Sequence, residues 1–218
     1  MADKRSGPAS SDGGGAASSG SGPASSGGGG AATPGRRKRV DARRNEETLL
    51  EAAAAAFVAS GVDAPVRDIA ARAGVGVGTI YRHFPTRADL VVAVYRHQVE
   101  ACVEAGRALL ASDEVPHSAL TRWIDLFVDF LVTKHGLAEA LQSDDATFVT
   151  LHGYFLDRLT PVCADLLDAA GTAGEIRTDI EALELMRAVG NLCIGADRDP
   201  RYDARRMVEV LLAGLRRP

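Results

Sequence analysis

Apolar positions along this chain recur with the period of an α-helix. Leu49, Leu50, Ala53, Ala56 and Phe57 fall at i, i+1, i+4, i+7 and i+8, one face of a first helix predicted over Asp41–Ser60. The Ala52–Ala56 run adds helix propensity and Gly61 supplies a C-cap. Ile69, Ala70 and Ala73 mark a short second helix, with Pro65 in its first turn and Asp63 or the Ala64 backbone expected to cap it. Ala73-Gly74-Val75 reads as a tight turn, because Gly accepts positive φ without strain. A third helix, Val77–Phe84, turns Ile80 and Phe84 to the core and stops at Pro85. Its cap is Gly76, only a few tenths of a kcal/mol weaker than Ser.

Thr86-x-x-Asp89 is a capping box for a long fourth helix, reaching about Ala111. Pro116 to His135 is apolar nearly all round, with a narrow polar stripe of Arg122, Asp125, Asp129 and Thr133, as a central buried helix would be. Ala146 to Ala170 is a further helix, which Pro161 should kink, helping to open a cavity. Thr178-x-x-Glu181 reads as a second capping box for a helix to Ala196, and Asp199-Pro200 as the cap of the last. The fold class is all-α with about nine helices: an N-terminal three-helix unit followed by a larger helical domain. Boundaries are drawn at 1–35, 36–88 and 89–218.

Composition changes the picture at the N-terminus. Residues 1–35 hold 11 of the 23 glycines and no Leu, Ile, Val or Phe, so they cannot bury enough apolar area to offset ordering entropy and read as a disordered tail. The net charge of -4 argues against nucleic acid, yet its distribution argues for it. Arg36 to Arg87 carry ten basic and six acidic residues, while 88–218 carry a net of -8. A basic head on an acidic body suits DNA binding by one end. Cys102, Cys163 and Cys193 lie far apart without metal-ligand spacing and read as buried small hydrophobes; no metal or cofactor is expected. No run reaches the ~20 apolar residues of a membrane span. No signal-peptide core precedes the fold, so a cytoplasmic location and no membrane partner are expected.

Two short helices joined by a Gly turn form a helix-turn-helix, whose second helix enters the DNA major groove. Gly74-Val75-Gly76-Val77-Gly78-Thr79-Ile80-Tyr81-Arg82-His83-Phe84, followed by Thr86-Arg87-Ala88-Asp89-Leu90, resembles the signature of TetR-type transcriptional regulators. The resemblance is dense from Arg43 to Leu90. It implies that Val77 and Arg82 read bases, Arg on guanine and Val on a thymine methyl. It also implies that Thr79, Tyr81, His83 and Arg87 hold phosphates and that Gly78 admits the sugar-phosphate backbone. Arg36, Arg37, Lys38 and Arg39 form a basic arm suited to phosphate or minor groove, and Arg43, Arg44 and Arg67 add cations to the same end.

The body offers candidates for a pocket lining: Trp123, Phe127, Phe130, Phe148, His152, Tyr154, Phe155 and Met186. By resemblance, the last two helices meet their copies on a partner, through Leu183, Val189, Gly190, Cys193, Ile194, Met207, Val208, Leu211 and Leu215. The expected partners are a palindromic double-stranded operator, a second copy of the chain and a small-molecule effector. No catalytic frame is visible: the Gly74-x-Gly76-x-Gly78 run follows a helix rather than a strand, and no Ser/His/Asp or Cys/His set stands in register. Two other readings are a DNA-binding regulator switched by a partner protein or by abundance, and a helical module that has lost DNA.

Overall fold

A computed structural model describes the backbone of residues 34–141, 145–194 and 201–217, and side chains over 42–131, 149–194 and 201–217. These residues form α1 (Pro34–Ser60), α2 (Val66–Ala73), α3 (Val77–His83), α4 (Arg87–Leu110), α5 (Pro116–Leu141), α6 (Asp145–Thr172), α7 (Ala182–Cys193) and α8 (Ala204–Ala213). The architecture is all-α, with eight helices among the described residues against about nine expected. α5 and α6 extend to Leu141 and from Asp145, so the sequence between their apolar stretches lengthens these two helices. Of the proposed tail, residues 1–35, the last two are described and begin α1, while residues 1–33 and Asp199-Pro200 lie outside the described residues.

α1 begins at Pro34, well before Asp41. Arg36, Arg37, Lys38 and Arg39 therefore stand in helical backbone rather than in a separate arm, and their side chains are outside the described residues. Pro suits a first helical position because its missing N–H has no intrahelical partner there, and Arg and Lys are good helix formers. α2 is capped by Pro65 itself, not by Asp63 or Ala64: the Pro65 carbonyl accepts from Asp68 N–H at 2.9 Å. Gly74, at φ 68°, closes α2, with Val75 N–H donating to Ala70 O at 3.0 Å and Gly74 N–H to Ala71 O at 3.3 Å. A left-handed turn with this bond pair satisfies the last carbonyls of α2 and sets the angle to α3.

The Thr86–Asp89 capping box is formed. Asp89 N–H donates to Thr86 Oγ1 at 3.1 Å and Thr86 N–H to Asp89 Oδ2 at 3.0 Å. The Thr86 side-chain bond holds the Asp89 carboxyl below its ordinary range. At α7 the box lies three residues later than the sequence suggested, with Glu181 as N-cap and its N–H donating to Glu184 Oε2 at 3.0 Å. α8 likewise starts at Ala204, where the Asp203 carboxylate accepts from Arg206 N–H at 3.0 Å.

α5 packs against α1, α4, α6, α7 and α8, so its nearly all-round apolar surface is used. Leu120, Trp123, Ile124, Phe127 and Val128 are buried, while Leu126 is exposed on the polar side. One contiguous core runs from Leu49 of α1 through Leu90 and Val94 of α4 to Leu215, so the reading head and the body share an interior. α4 meets α5 and α6 where Gly106 brings them close: a Cβ there would lie 2.2 Å from Val162 Cγ1 and 2.8 Å from Trp123 Nε1. The indole N–H donates to Cys102 O at 3.0 Å. The three cysteines are buried free thiols, and burial pushes Cys102 and Cys163 up to about 12. The segment before α7 pairs with the C-terminus: Arg177 N–H donates to Leu215 O at 2.9 Å and Arg217 N–H to Glu175 O at 3.1 Å. Among the described residues, no helix is long and apolar enough to cross a membrane.

Candidate DNA interface and ligand cavity

α3 divides by face as its sequence suggests. Ile80, 1% exposed, and the following Phe84 anchor it against the core, while Val77, Gly78, Tyr81, Arg82 and His83 are exposed and Thr79 is half-buried. Tyr81 is 50% exposed and Val77 38%, an outward aromatic and an outward aliphatic with no neighbouring core to enter. The structure therefore presents Val77, Gly78, Tyr81, Arg82 and His83 together on one short helix. Arg82 is folded back along α3, donating from Nε to Gly78 O at 3.2 Å and from Nη2 to Thr79 Oγ1 at 3.0 Å. Both bonds are at the surface, so exchanging them for a base edge costs little.

The other cations at this end are exposed. Arg43 pairs with Glu47 at 3.0 Å across one turn of α1, Arg67 sits 3.4 Å from Asp68, and Arg44 is exposed beside them. Such surface pairs are weak and yield readily to phosphate. Arg87 differs. Its Nε donates to Val62 O at 2.7 Å and its Nη2 to Ala64 O at 2.7 Å, with a further bond from Nη2 to Val62 O, and the guanidinium lies 5.7 Å from the Phe57 ring centroid. Where a phosphate grip was expected of Arg87, the half-buried guanidinium is bonded to the carbonyls of the α1–α2 connection. It pins the first turn of α4 to the helix-turn-helix.

In the body, α5, α6 and α7 enclose a half-open cavity of about 490 Å³. Four expected residues line it: Phe127, His152, Phe155 and Met186. Three do not. Trp123 is fully buried between α4 and α5 with its N–H satisfied, and Phe130 is buried against Tyr95 at 5.5 Å between ring centroids. Tyr154 faces α4, where its hydroxyl donates to Glu100 Oε1. The reason is rotational: on α6, residues 152, 155 and 156 share the cavity side, whereas 154 and 158 share the α4 side. The Phe148 side chain is outside the described residues. Pro161 lies within a continuous α6, more than a turn from the lining residues, so cavity formation does not depend on it locally.

The expected dimer positions differ in their exposure within the protomer. Val189, Cys193, Val208 and Leu215 are buried inside the protomer, and Met207 and Leu211 are half-buried. Leu183 and Gly190 line the cavity, as does Ile194, which is 63% exposed. Within the protomer α7 packs on α5, α6 and α8, and α8 on α5 and α7, so part of each helix's apolar stripe is used there. Sequence reasoning missed Val210, 60% exposed on α8, and the cavity residues Arg187 and Asn191, whose i, i+4 spacing beside Leu183 and Gly190 was the available signal. It also missed the α4–α6 ion pair, in which Arg158 donates from Nε to Glu100 Oε1 at 2.7 Å and from Nη2 to Oε2 at 2.5 Å. The Arg158 bonds hold Glu100 down to about 2.

Two short helices on a left-handed Gly turn, with the second presenting polar, cationic and aromatic side chains outward, define a helix-turn-helix DNA-binding regulator. Residues 49–94 match the family model of bacterial regulatory proteins of the tetR family, and 115–217 that of the SbtR-like transcriptional regulator C-terminal domain. The chain belongs to the TetR family of transcriptional regulators, which are not enzymes. It is 35% identical to the TetR transcriptional regulator SCO0520 from Streptomyces coelicolor, at a TM-score of 0.69, over 78% of this chain and 98% of that one. It is 34% identical to a TetR transcription regulatory protein from Mycobacterium vanbaalenii, at a TM-score of 0.66, over 83% and 99%. At 19% identity and a TM-score of 0.53, the fold is also that of the transcriptional regulator FadR from Bacillus subtilis, solved in complex with stearoyl-CoA, over 76% and 95% of the two chains.

Proposed function

We propose that the protein is a cytoplasmic repressor that binds a palindromic operator as a homodimer and is released by a small apolar or amphipathic effector. The observation carrying this reading is the outward ridge of α3, with Val77, Tyr81, Arg82 and His83 exposed while Ile80 and Phe84 hold the helix rigidly from behind. Arg82 and Val77 read base edges; Thr79, Tyr81 and His83, with Arg43, Arg44, Arg67 and the cations of the first turns of α1, hold phosphates. Two heads spaced by about one helical turn, roughly 34 Å, would seat in successive major grooves. The exposed Ile194 and Val210 give the α7–α8 side apolar positions for a second copy.

The cavity supports the effector part of the reading. Its lining helix α6 also holds α4 through Arg158, Tyr154 and Glu100, and α4 is pinned to the head by Arg87. An effector that prefers one placement of α6 would thereby favour one spacing of the heads, as differential affinity requires. The test is fluorescence anisotropy with DNA flanking the protein's own gene. A salt-sensitive preference for one palindrome supports the reading, and equal affinity for all fragments at every salt concentration overturns it.

A further inference from the structure

We infer that the effector carries an anionic head group, which Arg187 receives at the wall of the α5–α6–α7 cavity. This deepens the effector reading above and rests on it. Among the described residues that line the cavity, Arg187 is the one formally charged side chain, with no carboxylate among them. Asn191 follows one turn later on the same face of α7, adding an amide donor beside the guanidinium. Between them Gly190 leaves the wall bare, since a Cβ built there meets nothing within 4 Å. The opposite side is apolar and aromatic. Phe127 and Phe155 are stacked at 5.9 Å, and the His152 ring lies on Phe155 at 5.8 Å.

An aromatic wall alone would suit a quaternary ammonium as well as an acyl chain. Arg187 separates the two. A cation brought into the cavity meets a guanidinium that is always charged, whereas a carboxylate or phosphate meets a fork of donors with the geometry to bind it bidentately. The cavity thus sorts ligands by charge at the α7 wall and by apolar length along Phe127, Phe155 and Met186. A carboxylate and a phosphate monoester share this chemistry. Acyl and phosphoryl probes of equal chain length distinguish them.

The experiment uses the full chain with octanoate, octyl phosphate, octanol and octyltrimethylammonium, each titrated by calorimetry at neutral pH. Octanoate or octyl phosphate is expected to bind about tenfold or more tighter than octanol, the scale of one charge-assisted hydrogen bond, and octyltrimethylammonium weakest. Arg187→Gln should bring the anion and octanol to near parity while leaving octanol binding in place, and Arg187→Lys should retain much of the difference. Gly190→Leu, which fills the open wall, should remove binding of all probes. Octanol binding as tightly as both anions leaves the effector cavity standing but overturns the anionic head group, as does tightest binding of the ammonium. Unchanged anion binding in Arg187→Gln or in Gly190→Leu overturns the placement. Failure of every probe to bind the wild-type chain overturns this inference and the effector reading together.

Discussion

Arg87→Ala removes a guanidinium that donates to the carbonyls of Val62 and Ala64 and lies over the Phe57 ring. A hydrogen bond to a charged group contributes about 1.5–3 kcal/mol, and a cation–π contact that keeps access to water adds about 0.5–1 kcal/mol. The site is half-buried, so water recovers part of the loss at both carbonyls and the net destabilisation should be about 2 kcal/mol. For a chain of this size that lowers the melting temperature by about 4–8 °C. A phosphate contact would leave a different trace: little change in stability, and a salt slope of DNA binding smaller by about one per head. Thermal unfolding and anisotropy titrations at several salt concentrations measure both quantities on the same variant. The clamp predicts a lower melting temperature and an unchanged salt slope, together with weaker coupling between effector and DNA. An unchanged melting temperature with a flattened slope would refute it.

Arg82→Ala should cost about 1–3 kcal/mol on the preferred site and little on unrelated DNA, relaxing base preference at one position per half-site; a uniform loss across sequences would place Arg82 on phosphate. Gly106→Ala should destabilise the fold by about 1–3 kcal/mol, seen in chemical denaturation, because the new methyl overlaps Val162 and the Trp123 indole. The Glu100 carboxyl is held at about 2 when folded, below its unfolded value near 4.5. Its contribution is therefore present above about pH 4.5 and lost as pH falls towards 2. The difference in melting temperature between wild type and Glu100→Gln should close over that window, and a gap independent of pH would contradict the ion pair's role.

The head was legible in the sequence because its signals are local. Gly74 can only mark a left-handed turn where it does, Thr86 and Asp89 cap a helix within four residues, and Ile80 and Phe84 reveal which face of α3 is inward. The body was legible as helices and less so as faces. Trp123 and Phe127 are one turn apart on α5, yet one is sealed by α4 and the other borders the cavity, a distinction set by which helix packs opposite. Val189, Cys193, Val208 and Leu215 form apolar stripes that suit a partner copy or the chain's own core equally well; only the packing of α5 and α6 assigns them to the core. The clamp made by Arg87 was not legible, because the carbonyls it binds lie 23 and 25 residues upstream, in a connection whose geometry no spacing encodes.

The most direct test of the account is selection of bound sequences from random double-stranded DNA by the wild-type protein. An inverted repeat whose half-site centres lie about one helical turn apart, with one specified position lost in Arg82→Ala, is the predicted result. Enriched sequences without two-fold symmetry, or no enrichment over the starting pool, would contradict it.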